Sequence, residues 1–218
     1  MPTHTERYVP TLGLRALTPL YDRLMALTMR EGAWRPRLAQ AVLEPLRRGD
    51  VVVDVGCGTA TQAIDLAARR PDVTVIGVDG DPEVLELARA KPGAERVELR
   101  EGDATALPLA DAGAAAVICS LLLHHLPPDG KRAALSDARR VLAPGRHLHI
   151  ADWGRPSDPL AAAGFAAVQL IDGREGTRDH AAGRLNTFIA GAGFGEIELA
   201  ARLRTVFGTL ELLRATAP

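Results

Sequence analysis

VVVDVGCGTATQ, residues 51–62, joins an apolar β-type run to a glycine-rich turn and the start of a helix. The valines do not alternate with polar residues, as expected of a strand covered on both faces. Asp54-x-Gly56-x-Gly58 ends that strand, and glycine at these positions permits positive φ and lets a ligand lie against bare backbone. The helix that follows, over 61–70, places Ala63, Ile64, Ala67 and Ala68 on one face and is stopped by Pro71.

The same strand-then-helix unit recurs outward from this segment. Further strands are expected over 73–78, 96–99, 115–120 and 147–151. A helix opens at Asp81-Pro82, an N-cap followed by proline at the first helical position. Another runs from about 129 to 142 and closes at Pro144-Gly145. Strands alternating with helices make a parallel sheet with crossovers. Two tail strands, 196–203 and 209–215, are close enough in sequence to pair antiparallel. The expected class is α/β: a Rossmann-like seven-stranded mixed sheet, five strands parallel plus a C-terminal antiparallel hairpin, with helices on both faces. One domain, 1–218, is expected, with an N-terminal helical cap (1–48), a cofactor-binding core (50–152), an insertion over the acceptor site (154–180) and the hairpin (195–215). In the cap, helices are expected over 19–29 and 36–46, each opening with proline; after the insertion, a helix is expected near 180–190.

Composition narrows the function. With 26 Lys and Arg against 27 Asp and Glu, the net charge of -1 provides no field to gather phosphate backbones, so no nucleic-acid partner is expected. The longest apolar run, 114–123 and interrupted by Ser120, is half of the roughly 20 residues a spanning helix needs, so no membrane insertion is expected. The start, MPTHTERYVP, lacks a secretory signal's basic and apolar regions, which points to the cytoplasm. Cys57 and Cys119 are too few for a disulfide framework and are read as reduced thiols. No residues show metal-ligand spacing, and metal independence is expected. Aromatic residues are absent between Arg35 and Asp152, so those in the flanks either build a pocket over the middle or fill core at its periphery.

Acids at the strand ends indicate the ligand. Asp79 in VIGVDGDP stands 21 residues beyond Gly58, placed to accept from both hydroxyls of a ribose. Capping the next helix is its structural alternative, although Asp81 suits that role better. Asp79 and Asp54 would both repel phosphates, so a nucleoside without them is expected. Asp103 in EGDATALPLAD, after the third strand, can accept from an adenine amine while the Ala104 amide faces a ring nitrogen; capping its own turn is the alternative. Asp54, Asp79, Asp103 and Ser120 all fall where an open α/β sheet binds ligands.

In their order along the chain DVGCG, VIGVDGDP, EGDATALP, AAVICSLLLHHL and RVLAPGRHLHIADWG resemble the class I S-adenosylmethionine-dependent methyltransferases. Within that class, the leader YDRLMALTMREGAWR and the HHLP ending look most like the ubiquinone and menaquinone biosynthesis enzymes and their small-molecule relatives. The resemblance implies S-adenosyl-L-methionine as cofactor, a small-molecule acceptor, and cofactor contacts from Asp54, Gly56, Cys57, Gly58, Asp79, Gly80, Asp103, Ala104 and Ser120. Ala60 stands where many members have a third glycine, which puts the shape of the turn in question. His124 and His125 follow the fourth strand beside the expected methyl position. Adjacent residues point apart, so one, taken as His125, is the candidate general base, and the other is expected to cap the next helix. Tyr21 is the second catalytic candidate, its ring closing over the cofactor against the sulfonium; a place in the core is the alternative. Asp152 and Trp153 lie past the fifth strand and border the acceptor or merely end the strand. Asp172, Arg174, Arg178, Asp179 and His180 line the acceptor pocket or form salt-bridged surface; Arg35, Arg37, Arg47 and Arg48 are read as a solvated face. The expected reaction is in-line methyl transfer to carbon or oxygen of a phenol, quinol or enol-like metabolite. The alternatives are a catalytically silent binder of the same cofactor and an NAD-dependent oxidoreductase, although the latter wants glycine where Thr61 stands.

Overall fold

A computed structural model describes residues 28–218 of the chain. Tyr21 and the helix expected over 19–29 fall largely or wholly outside these residues. Seven strands, β1 (Val51–Val55), β2 (Thr74–Asp79), β3 (Val97–Glu101), β4 (Ala114–Ser120), β5 (Leu142–Trp153), β6 (Gly195–Thr205) and β7 (Gly208–Thr216), form one sheet in the order β3-β2-β1-β4-β5-β7-β6. β1 to β5 are mutually parallel, whereas β7 pairs antiparallel with both β5 and β6. Among the described residues seven α-helices accompany it: α1 (Glu31–Leu43), α2 (Thr61–Arg69), α3 (Pro82–Arg89), α4 (Pro128–Val141), α5 (Pro159–Ile171), α6 (Arg174–Ala181) and α7 (Leu185–Gly191).

The alternation of side chains along β1 feeds two cores. Val53 and Val55 face one layer with Leu135 and Val141 of α4 and Ile189 of α7. Val52 faces the other with Trp34, Leu38 and Val42 of α1 and Ala63 and Leu66 of α2. Both layers are dry, which is why β1, β2 and β4 carry almost no polar residues. The polar residues of β2 and β4 stand at strand ends, whereas Asp54, on the α1 side, lies inside β1 and is 1% exposed. Cys57 and Cys119 are both buried and unpaired. The aromatic flanks mostly fill core: Trp34, Phe165, Trp153 and Phe194 are all buried, and Trp153 meets Phe165 edge-on at 5.7 Å.

Four expected boundaries are corrected. Pro36 lies inside α1 rather than opening it, and the helix ends at Leu43; its start is set by Arg30 in the left-handed region, not by the proline. Pro144-Gly145 does not close α4 but lies within β5, where the β4 ladder shifts register between Ala114 and Ala116 and absorbs them as an irregularity. Asp152 and Trp153 are the last residues of β5, paired with Glu211 and Leu210, not residues beyond it. The helix expected near 180–190 is two, α6 and α7, separated by a turn at Gly183 with φ of +70°.

One cluster fixes the loop between β3 and β4. Arg140 of α4 donates to Asp137 through Nε at 2.6 Å and Nη2 at 2.9 Å, and to the carbonyls of Leu107 and Leu109. Asp137 also accepts from the Leu107 amide at 2.6 Å. Burial pushes the Asp137 carboxyl up, but the Arg140 hydrogen bonds, the Leu107 amide and the Arg140 charge outweigh this and hold it below its ordinary value. The carboxylate therefore stabilises the fold fully above about pH 4, and that contribution is lost as pH falls through the depressed value. Asp137→Ala is expected to lose roughly 1.5–3 kcal/mol at pH 7, with the gap to the parent narrowing toward pH 3 in denaturant melts; a gap independent of pH would refute the linkage.

Candidate active site

The strand order reverses between β1 and β4, and the crevice opens at their carboxyl ends. The glycine turn is tied to its neighbour strand: the amides of Gly56 and Cys57 donate to the Val78 carbonyl at 2.8 and 3.1 Å. Gly56 (φ +66°) holds a left-handed conformation that strains any side chain, and a Cβ there would stand 2.7 Å from the Leu122 side chain of the β4 loop, which would have to shift. Gly58 (φ +55°) faces open space, so its backbone is accessible to a ligand. Ala60, at the expected third glycine, adopts the left-handed conformation with φ of 56° and starts α2. The turn thus keeps the shape a glycine would take, at a strain of about 1 kcal/mol.

Asp79 accepts from the Gly58 amide at 2.7 Å through Oδ2 and from the Asp81 amide at 3.0 Å through Oδ1. Each oxygen keeps a second acceptor position. The helix is capped by Asp81, which accepts from Glu83 and Val84, so Asp79 is free of that task. Gly80 is exposed beside it. Asp103, also exposed, accepts from the amide and hydroxyl of Thr105 through Oδ1 at 2.7 and 2.8 Å, the local turn-capping role. Oδ2 makes no hydrogen bond among the described residues. Ala104 packs against the edge of the α4-side core. Ser120 ends β4 with its buried hydroxyl lacking a partner among the described residues.

Asp54 is the electrostatic centre of the crevice. Burial raises its carboxyl to about 7; Arg35 opposes this, Asp79 adds to it, and the Ala63 amide opposes it. Among the described residues its buried Oδ1 has no partner, nor do the buried Gln62 Nε2 and Trp34 Nε1. Arg35, read from the sequence as solvated, instead stacks on Trp34 at 4.6 Å, bonds Glu31 at 2.8 Å and reaches Gln62 Oε1 at 3.4 Å. Nothing in the sequence marked Arg35 or Gln62, because their role depends on α1 crossing the start of α2. Burial raises the Cys57 and Cys119 thiols well above their ordinary range, and the nearby carboxylates add to the shift, so both stay protonated.

The second half of the site lies under the roof formed by α5 and α6. Leu121, with φ of 53°, turns the chain out of β4 into a 3₁₀ turn, Leu123–His125. That turn overrides the expectation that adjacent histidines diverge: their ring centroids are 4.0 Å apart. Neither caps α4, whose N-terminus carries no side-chain cap. His124 Nδ1 instead meets Asp152 Oδ1 at 2.7 Å, and Asp152 Oδ2 accepts from the Leu123 amide at 2.8 Å. Burial lowers the basicity of His124, but Asp152 and then Asp172, 3.5 Å from its Nε2, outweigh burial and raise it to about 9. His125 is exposed overall, yet protein crowds its ring; that desolvation and the neighbouring His124 cation lower it to about 4, leaving it neutral.

The insertion residues divide between the two readings. His180 is buried and its Nδ1 contacts the Trp153 carbonyl at 2.6 Å. Asp179 is buried near Lys131, whose ammonium, wholly enclosed, donates to the Leu126 and Gly176 carbonyls at 2.8 and 2.6 Å. Arg174 and Arg178, with Pro127, Pro128, Asp129 and Glu175, line an open pocket of about 670 Å³. Gly176 lets α6 sit directly on the histidine turn, because a Cβ there would stand 2.1 Å from the His124 carbonyl oxygen.

Residues 52–145 match the family described as "Methyltransferase domain". A demethylmenaquinone methyltransferase of Deinococcus radiodurans is 36% identical over 155 residues, covering 69% of this chain and 62% of that protein. The enzyme of the same name from Thermus thermophilus is 35% identical over 154 residues, covering 68% and 67%. The chain thus spans about two thirds of the length of these relatives. In fold it is similar to an S-adenosylmethionine-dependent methyltransferase, possible histamine N-methyltransferase, of Thermotoga maritima, with a TM-score of 0.67 at 22% identity over 94% of this chain and 98% of that one.

A buried carboxyl held near 7 favours the folded state while protonated, and that advantage fades as pH rises from about 4 through 7. Asp54→Asn in the ligand-free protein is therefore expected to gain stability at pH 8 relative to pH 5, on the order of 2–4 kcal/mol. Equal effects at the two pH values in denaturant melts would show that Asp54 is already solvated.

Proposed function

The chain belongs to the class I S-adenosylmethionine-dependent methyltransferases, and we propose that it transfers the methyl group to carbon or oxygen of a small phenol, quinol or enol-like acceptor. The observation that carries this reading is Asp79, bonded to the Gly58 amide at 2.7 Å with acceptor positions to spare on both oxygens. A carboxylate fixed there suits a ribose diol and repels a ribose phosphate. The donor set fits the cofactor. Asp103 Oδ2 and the Ala104 amide would take its base, the backbone of Gly56, Cys57, Gly58 and Gly80 would lie along it, and the unpartnered Asp54 Oδ1 and Ser120 Oγ would meet its polar groups. Arg35 and Gln62, missed in the sequence, join them on the α1 side.

S-Adenosylmethionine, when bound, supplies a methyl group already activated on a sulfonium. The protein is then left mainly with alignment, which is worth up to roughly 7–11 kcal/mol. On the acceptor side we place His125, whose neutral ring accepts a hydrogen bond from a phenol or enol hydroxyl and takes its proton as the new methyl bond forms and makes that hydroxyl strongly acidic. The name shared by the two bacterial relatives supports a quinol-like acceptor. Tyr21 remains proposed as a lid residue on sequence grounds.

Asp79→Ala is expected to weaken S-adenosylhomocysteine binding by about 10- to 150-fold in calorimetry, the worth of a charge-assisted hydrogen bond. Tight binding of a pyrophosphate-bearing nucleotide with no heat from S-adenosylhomocysteine would overturn the cofactor assignment. Labelled methyl transfer onto a panel of phenols, quinols and amines tests the acceptor class, and any methylated product excludes a silent binder. His125→Ala is expected to lower turnover by about 100-fold with little change in cofactor affinity; unchanged turnover would remove it from the reaction.

A further inference from the structure

We propose that His124, His125 and Asp172 form a binding site for a divalent first-row transition ion of the zinc type. One potential ligand atom from each residue lies within 4.8 Å of the others. The trio is assembled from two distant parts of the chain: the 3₁₀ turn after β4 supplies both rings, and Asp172, the C-cap residue of α5, comes down from the roof.

Three features of the geometry suit an ion. Asp152 holds His124 Nδ1 at 2.7 Å, so the other ring nitrogen is aimed at Asp172, 3.5 Å away. A carboxylate behind an imidazole is the usual means of fixing the tautomer and direction of a metal-binding histidine. The rings of His124 and His125 stand 4.0 Å apart, tilted by 39°, although adjacent side chains on a strand would diverge. Their convergence depends on the left-handed Leu121 just before them, a conformation that costs energy and persists only where surrounding structure enforces it. Finally, Asp152 and Asp172 place two carboxylates around His124, so the ion's charge can take the place of the proton that His124 Nε2 releases to solvent on coordinating.

Two imidazoles and one carboxylate favour zinc, cobalt or nickel over magnesium or calcium, which prefer all-oxygen sites. Three protein ligands leave coordination positions open. The ion would fasten the α5 roof to the β4 loop and offer an open position on the acceptor side. There it would acidify a bound hydroxyl and so replace His125 in that task, because a ring that ligates the ion no longer accepts the proton. Sequence spacing concealed the site, since Asp172 lies in the insertion, far from the paired histidines.

The test is a Co²⁺ titration of tag-free, metal-stripped protein without cofactor or acceptor, followed by visible absorption, with Zn²⁺, Mg²⁺ and Ca²⁺ as competitors. One Co²⁺ per chain is expected, displaced by Zn²⁺ and not by Mg²⁺ or Ca²⁺. His125→Ala and Asp172→Ala, both outside the fully buried core, are expected to remain folded in thermal melts. Each should weaken Co²⁺ binding at least as much as the roughly 10- to 100-fold that loss of an outer-shell partner costs. No saturable Co²⁺ band, equal affinity in the parent and both variants, or displacement by Mg²⁺ as effective as by Zn²⁺ would each overturn the site. Because the readout needs no methyl transfer, failure of the proposed activity and failure of this site are separable.

Discussion

The 2.7 Å hydrogen bond from the Gly58 amide to Asp79 couples the ends of β1 and β2, and the crevice depends on that coupling. The glycine turn alone is a flexible connection. Held to the Val78 carbonyl through the Gly56 and Cys57 amides and to Asp79 through Gly58, it becomes a surface of fixed backbone beside a carboxylate of fixed direction. Because each bond is backbone to strand end, the geometry follows from the register Val55↔Val78 and does not rest on long side chains. The scaffold thus delivers the ligand groups already oriented, which is what a reaction limited by alignment requires.

Electrostatics divides the crevice into two unlike halves. On the cofactor side, Asp54 is poorly solvated, lacks a partner at Oδ1 and is offset by Arg35. Beneath α5 and α6, the charges are closely compensated: His124 lies between Asp152 and Asp172, and enclosed Lys131 is bound to two carbonyls beside Asp179. An under-compensated acid needs a ligand with positive or donating groups, whereas a compensated network fixes shape. The first half thus presents an acid with a free oxygen to a ligand, while the second holds α5 and α6 against the β4 turn and takes up an ion only in exchange for the His124 proton.

Legibility followed the range of the interactions involved. β1 was readable to the residue, since a doubly covered strand must be apolar and its glycine turn is written in the adjacent residues. The Asp81 cap was equally local. The misreadings arose where distant partners decide the outcome. Pro144-Gly145 reads as a helix stop, yet the ladders of β4 and β7 carry that segment into β5. Arg35 looks like a surface arginine until α1 is laid over α2, bringing it to Gln62. His124 and His125 were assigned by strand alternation, a rule that fails once Leu121 turns left-handed and the next residues enter a 3₁₀ turn. Asp103 shows both outcomes in one side chain, one oxygen spent on its own turn and the other left to the crevice.

The placement of Gly176 joins these lines of reasoning. With any larger residue the α6 backbone would be forced away from the His124 carbonyl, and the Gly176 carbonyl would leave the Lys131 ammonium. Removing that acceptor would leave a buried cation under-compensated, a penalty larger than the steric one alone. The close approach of α6 therefore both seats the roof and neutralises the lysine beneath it. The same descent of the insertion brings Asp172 to His124. A single small residue, without functional groups of its own, in this way helps hold α6 against the turn that follows β4.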